Sequence, residues 1–385
     1  MKFIPVAKPK ISNKDISSVI KVLKSGWITN GPVSRSFEKL VAEKLNIKNV
    51  ISVNSCTSGI IASIAAKGFQ PGDEVITPAN TFISTIHSLH NLKLKIKLCD
   101  IDLNTLSTNE NFFLNRVSKK TKFFIPVHFG GNPINIEKLI KIANLRNIFV
   151  IDDAATCLGA KIKEKYIGSF NKNITVFSLH ANKVLTSGEG GLICLSNSKL
   201  AEKIRFFVNC GLSSNSWERY NFKGLKTLDS IVSGYKFNYN DILASLANEQ
   251  FGRMDKIIAR RKNIYKRYYY NLINLINENK IYLPKIHENS KSSYYCFQII
   301  LKSRDSKLRD RLSSYLKQNK ISTTVYYTPA HKHSFYKNIF KEQNKFLTNT
   351  NYIFERSLAI PFFNDLRNNE IDKISEYIIK FFKNA

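Results

Sequence analysis

Apolar residues recur along this chain in two alternating rhythms, one of helices and one of short buried strands. From about Ile16 to Ile193 the two take turns. "DISSVIKVLKSG" (15–26) is apolar at helical spacing and stops at a glycine, and "SRSFEKLVAEKLN" (34–46) is a second amphipathic helix. "NVISVN" reads as a buried strand and "TSGIIASIAAKG" as a helix from Thr57 to Gly68. "DEVITP" is a strand and "TFISTIHSLHNL" a helix. "LKIKLCDI" and "KFFIPVHF" are strands, "NIEKLIKIANLR" a helix and "NIFVIDDAA" a strand; "NITVFSLH" and "GGLICL" are two more strands. This alternation predicts an α/β fold built on a mostly parallel sheet, with helices on both faces.

The rhythm changes after about Gly234. A long helical stretch, "YNDILASLANEQFGRMDKIIARRKNIYKRYYYNLINLI", leads into a strand, "SSYYCFQIILK", and two further helices, "DSKLRDRLSSYLKQN" and "NEIDKISEYIIKFFK". We read a large α/β domain over residues 1–250 and a smaller C-terminal α+β domain over residues 251–385, entered by a long helix near 250–277.

Composition narrows the class. The chain has 385 residues, 43% of them hydrophobic, enough for a large core, and its apolar runs are too short to span a bilayer. The opening "MKFIPVAKPKIS" has no continuous apolar h-region, so a cytoplasmic location is expected. Six scattered cysteines form no C-x-x-C, which argues for reduced thiols and against a zinc site or a disulfide framework. The formal charge of +30 has two readings. A basic field attracts nucleic acid, anionic lipid or phosphorylated substrates. Equally, a composition rich in Lys, Asn and Ile yields dispersed lysines on a solvated face. The dispersion favours the second reading, and neither nucleic acid nor a membrane is an expected partner. "RRKNIYKRYYY" (260–270) fits this view, because Ile264, Tyr268 and Leu272 share one helical face and the charges fall largely on others.

The chemistry gathers at strand ends, where open parallel sheets bind ligands. In "VNSCTSGI" a strand gives way to a helix opened by Thr57, Ser58 and Gly59. Free N–H groups there can bind phosphate, although the same residues would serve as an ordinary cap. In "FVIDDAATC" a carboxylate, Asp153, directly follows a buried strand and needs a partner. In "SLHANKVLTSGEGG" Lys183 lies thirty residues beyond Asp153, flanked by Ser178 and His180 and followed by three glycines within four residues. A lysine, a carboxylate and a phosphate-binding helix start at one rim suit pyridoxal phosphate. The lysine forms the Schiff base, the carboxylate keeps the pyridine nitrogen protonated, and the helix start holds the phosphate.

These residues also form a family pattern. The chain resembles the sugar-nucleotide aminotransferases of the DegT/StrS group, nearly end to end. "SGWITNGPVSRSFEKLVAEKL" is similar to the family's S-G-W-x-T-x-G-P…FE opening, and "SVNSCTSGI" to its N-S-G-T-S/A turn. "GDEVITPANTFISTIHS", "DIDLNTLS" and "PVHFGGNP" resemble consecutive landmarks. "VIDDAATCLGA", "SLHANKVLTSGEGG" and "GYKFNYNDILASL" resemble V-I-E-D-A-A-x-A-x-G-A, S-x-H-x-x-K…T-x-G-E-G-G and G-Y-[NK]-[YF]-x-x-x-[DE]-I-x-A-A.

The resemblance implies a fold type I aminotransferase and a set of roles. Lys183 forms the internal aldimine and acts as acid and base. Asp153 pairs with the pyridine nitrogen, and Thr57, Ser58 and Ser178 hold the phosphate. Phe82 stacks on the cofactor, and Lys236 reaches the phosphate from the neighbouring subunit of a homodimer with shared active sites. His180 lines the site, Trp27 and Thr29 edge the sugar pocket, and Tyr327 and His331 approach the substrate. Three positions depart from the pattern. Cys56 stands where glycine is usual, Tyr326 replaces a histidine, and Thr156 replaces the His or Gln that helps hold the cofactor. The implied partners are L-glutamate and a nucleotide-linked 4-keto-6-deoxyhexose, with a 3-keto sugar second, in surface polysaccharide, lipopolysaccharide O-antigen or glycan synthesis. Relatives acting as dehydratases carry histidine in place of the lysine, so Lys183 favours transamination. No metal is implied.

Overall fold

The computed structural model describes residues 2–213, 217, 220–221 and 227–384. Its first half holds nine strands: β1 (Asn49–Val53), β2 (Glu74–Pro78), β3 (Lys95–Cys99), β4 (Thr121–Phe124), β5 (Phe149–Asp153), β6 (Lys161–Ile162), β7 (Lys165–Tyr166), β8 (Asn173–Ser178) and β9 (Gly191–Leu195). Seven form one sheet in the order β1-β9-β8-β5-β4-β2-β3, in which β9 alone runs against the others. The carboxyl ends of β1, β8 and β5 therefore share one rim, where β9 begins. This is the mostly parallel α/β sheet that the strand pattern leads one to expect.

Strand alternation divides the interior. Val50, Val150, Phe177 and Leu192 enter one core with Phe37 and Val41 of α2 (Pro32–Leu45, following α1 at Asn13–Ser25). Ile51, Ile151, Val176 and Ile193 enter the opposite core, under α3 (Cys56–Lys67) and α4 (Ile83–Asn91). α5 (Glu110–Leu114) and α6 (Ile136–Asn144) lie on the first side, and α7 (Ser198–Val208) on the second. Each fully buried Ile or Phe stabilises the fold by roughly 1.5–3 kcal/mol.

The helical stretch after Gly234 is not one long helix. Non-helical backbone at Arg253 and Leu272 divides it into Asp241–Gly252, Met254–Asn271 and Ile273–Asn277. As the periodicity predicts, Ile264, Tyr268 and Leu272 are fully buried together. They face a three-stranded antiparallel sheet of β10 (Ile281–Tyr282), β12 (Phe297–Leu301) and β13 (Ser357–Ile360). β11 (Ser290–Lys291) joins β6 and β7 in a separate small sheet. Ile4, from the start of the chain, is buried in this C-terminal core and pairs with Ile321.

Asp241 fixes the entry to α2. Its Oδ1 accepts from the N–H groups of Gly31 and Ser34, both at 2.9 Å, and its Oδ2 from Val33 N–H at 3.0 Å; the Ser34 hydroxyl donates to it as well. Asp241→Ala leaves these buried donors without an acceptor, at about 1–3 kcal/mol each. We expect a loss of roughly 3 kcal/mol or more, read as a lower urea midpoint at unchanged slope.

Candidate functional site

Two close approaches build the floor of the rim. A Cβ on Gly191 would lie 2.6 Å from the Ser55 carbonyl carbon and 2.7 Å from Cys56 N, so only glycine lets β9 run beneath the start of α3. One on Gly59 would lie 2.7 Å from Val176 Cγ1, which seats α3 on β8. Of the glycines in "GEGG", Gly191 thus serves the packing of the helix start. That start is capped by Ser55, whose Oγ accepts from Ser58 N–H at 3.0 Å and meets Ser58 Oγ at 2.8 Å. The helix opens at Cys56, one residue before the sequence boundary.

Lys183 rides on the connection from β8 to β9. That segment is closed by bonds within itself: Lys183 N–H to His180 O at 2.9 Å, Ser187 N–H to Leu179 O at 3.0 Å, and Leu179 N–H to Gly190 O at 2.9 Å. Lys183 Nζ stands 4.7 Å from the centre of the Tyr295 ring. Burial lowers its pKa below the ordinary lysine value, opposed by the negative charge of Asp153.

Asp153 ends β5 almost completely buried. Burial raises its pKa, against hydrogen bonds from Thr85 Oγ1 at 2.7 Å and Ala155 N–H at 3.1 Å and the positive charge of Lys183. Behind it lies a fully buried pair that the sequence does not single out. His128 Nε2 is 2.8 Å from Asp152 Oδ1, and His128 Nδ1 accepts from Ile134 N–H at 3.0 Å. With Nδ1 accepting, the ring proton sits on Nε2, facing the carboxylate.

These groups surround a cleft of about 430 Å3 lined by Thr57, Phe82, Asp153, Thr156, Ser178, His180, Lys183 and Tyr327. Phe82 overhangs it, 57% exposed, edge-on to Tyr327 at 5.9 Å. Ser178 Oγ accepts from His180 N–H at 3.3 Å, and His180 Nδ1 meets Asn182 Oδ1 at 3.0 Å. The Thr156 hydroxyl is engaged with backbone, donating to His128 O at 2.8 Å and accepting from Gly131 N–H at 3.1 Å.

The remaining expected residues lie elsewhere. Ser58 is buried behind the helix start, bonded to Ser55. His331 is buried with Nε2 at 2.9 Å from Asn351 Oδ1 and does not line the cleft; His333 does, its Nε2 at 3.1 Å from Thr328 O. Trp27 donates from Nε1 to Asn30 O at 3.3 Å, and its ring meets Trp217 edge-on at 4.8 Å. Thr29 offers its carbonyl to Asp241 N–H at 3.0 Å. Lys236 is exposed. None of these three lines the cleft of its own chain. Sequence reasoning missed Ser55, Asn182, Tyr295, Tyr326 and His333 as cleft residues. Ser55 was legible as the cap of "NSCTSG"; Tyr295, inside a strand-like run, carried no signal.

The donor set fits pyridoxal phosphate. A hydroxyl-bearing helix start suits its phosphate, a buried carboxyl whose charge is under-compensated suits its pyridinium, and a desolvated amine suits its aldehyde.

Known proteins agree with that fit. Residues 9–379 match the sequence profile described as the DegT/DnrJ/EryC1/StrS aminotransferase family. The chain is 34% identical over 370 residues to the uncharacterized protein MJ1066 of Methanocaldococcus jannaschii, covering 96% of this chain and 95% of that one. It is 31% identical over 388 residues to the spore coat polysaccharide biosynthesis protein SpsC of Bacillus subtilis, covering 100% and 98%. Its fold superposes on the crystal structure of NtdA from Bacillus subtilis with bound cofactor PMP at a TM-score of 0.85 and 26% identity, covering 97% and 83%. The chain belongs to the DegT/DnrJ/EryC1/StrS aminotransferase family of pyridoxal-phosphate-dependent sugar aminotransferases.

Proposed function

We propose that this enzyme moves an amino group from L-glutamate to a nucleotide-linked keto-sugar, foremost a 4-keto-6-deoxyhexose. The observation that carries the reading is the meeting of a desolvated lysine, a buried carboxyl and a hydroxyl-bearing helix start at one sheet rim. Bound pyridoxal phosphate supplies an electron sink and carries the amino group between the two substrates. Lys183 holds and moves a proton at Nζ. Asp153 keeps the pyridine nitrogen protonated. The start of α3, with Thr57, and Ser178 hold the phosphate, Ser58 steadies that start through Ser55, and Phe82 covers the ring. Thr156 secures the backbone beneath it through His128 O. His180 and Tyr327 border the sugar, and His331 supports the substrate side from behind.

Trp27, Thr29 and Lys236 lie outside their own chain's cleft, which supports a homodimer in which each chain completes the other's site. α1 adds to that support, since Ile16, Ile20 and Leu23 leave an apolar stripe about half exposed. The name of SpsC supports a place in surface polysaccharide synthesis, here lipopolysaccharide O-antigen or a related glycan. Six free cysteines fit a reducing cytoplasm.

The test is a visible absorbance spectrum of the PLP-loaded protein before and after L-glutamate. Loss of the visible band in favour of the near-ultraviolet band of the PMP form is expected, and keto-sugars should then restore it. A band indifferent to glutamate overturns the donor.

The lowered pKa of Lys183 makes a separate prediction. The reactive form is the neutral amine, whose fraction grows as pH rises through the lysine's pKa. Cofactor capture by the apoprotein should accelerate with pH and level off at a midpoint below the ordinary lysine value of 10.5. Stopped-flow mixing with pyridoxal phosphate across pH reads that midpoint.

A further inference from the structure

A second cavity, of about 250 Å3, shares Lys183 with the cleft and no other residue. Besides Lys183, its lining carries Lys8, Lys10, Arg253, Lys256, Arg260 and Arg261 and, among the described residues, no carboxylate. Two of the six cations are matched from behind: Arg253 Nη2 meets Asp15 Oδ1 at 2.8 Å, and Lys10 Nζ meets Asp365 Oδ1 at 2.6 Å. For Lys8, Lys256, Arg260 and Arg261, no ion pair is formed among the described residues.

Arg261 is the unusual member. It is 4% exposed, and among the described residues its guanidinium meets only neutral acceptors: Tyr294 O at 2.6 Å, Tyr295 O at 2.7 Å, Asn364 Oδ1 at 2.9 Å and Phe362 O at 3.3 Å. Arg260 likewise donates to the carbonyls of Asn364 at 3.3 Å and Leu366 at 2.5 Å. Carbonyls orient a guanidinium but do not cancel its charge, and a buried cation without an anion is costly. Here that cost falls in a space open to a ligand, with two flexible, exposed ammonium groups, Lys8 and Lys256, at its edge. Planar guanidinium groups backed by mobile ammonium groups match the oxygens of a phosphate group. The volume is below that of sites for drug-sized ligands, which start at roughly 300 Å3. It suits a small oxyanion and not a whole nucleotide-sugar.

We propose that this cavity is a binding site for a phosphate-class oxyanion, orthophosphate or diphosphate, separate from the catalytic cleft. Part of the chain's excess of +30 is then positioned for a ligand instead of being spread by composition alone. The site also touches the backbone that carries Lys183, since Val184 and Thr186 line it. An anion held there stabilises the arrangement of that connection, and linkage then couples its occupancy to the cleft. The inference stands apart from the choice of amino donor.

Isothermal titration of the PLP-loaded enzyme with diphosphate, and separately with orthophosphate, tests it. Loading the cofactor first keeps either anion from the start of α3. Wild-type protein should bind one equivalent per chain, more weakly as salt rises. Lys256→Met/Arg260→Met should lower the affinity at least tenfold and leave the glutamate half-reaction intact. Lys8→Met/Lys256→Met, which alters only exposed side chains, should lower it in the same direction and guards against a folding defect at Arg260. Stronger binding of diphosphate than of orthophosphate would identify the longer anion as the ligand. Absence of binding to wild type, or binding by both double variants equal to that of wild type, overturns the site; the latter would locate the anion in the cleft.

Discussion

A Lys183→Ala enzyme should lose amino transfer by about 10³-fold or more while keeping its fold. Acid–base groups positioned at the reacting atom contribute roughly 10²–10⁴-fold. Among the described residues Lys183 is also the single amine lining the cleft and able to join the cofactor covalently, so its two contributions vanish together. Lys183→Arg should be about as inactive, because a guanidinium stays protonated and cannot cycle. The fold should survive, since the connection from β8 to β9 is held by its own backbone hydrogen bonds and not by the lysine side chain. The readout is turnover with L-glutamate and keto-sugar beside a thermal melt. Either variant retaining a tenth of wild-type turnover would sink the assignment.

What could be read beforehand follows from how local each signal is. Strands β1, β5, β8 and β9 announce themselves because both faces are buried and their runs are centred on apolar residues. The residues at and just beyond their ends follow, so Thr57, Asp153, Ser178 and Lys183 could be assigned to one rim from order alone. Long-range pairings were not legible. β6, β7 and β11 are two residues each, too short for a period, and β13 follows its helix directly without a turn signal. Ile4 joins the C-terminal core across more than 250 residues. The break at Leu272 carries no proline or glycine, and the one at Arg253 is signalled only by Gly252 beside it. His331 and His333 are two apart, and only the path of the loop decides which faces the cleft. Trp27, Thr29 and Lys236 were drawn into the site by family resemblance, and none of the three lines the cleft within the chain.

Asp153→Asn should move two observables in opposite directions. Under the proposed function, Asp153 in the PLP-loaded enzyme would pair with the protonated pyridine nitrogen, and removing one charge of a buried pair costs about 3–5 kcal/mol. Turnover should fall by ~10²-fold or more, by the usual conversion of energy to rate. In the apoprotein that partner is missing, and burial raises the Asp153 pKa despite Thr85, Ala155 and Lys183. A carboxyl with a raised folded pKa binds more protons folded than unfolded. Wild-type stability therefore declines as pH climbs from the ordinary carboxyl value through the raised one. The amide in the variant has no charge to bury and escapes that decline. The apo variant should melt at or above wild type at pH 8, and the gap should close toward pH 4. Melting curves of both apoproteins across that range, set beside turnover of both loaded enzymes, read the two effects separately. A gap that does not change with pH would remove the buried-charge account of Asp153. Wild-type turnover in the variant would remove its partnership with the cofactor.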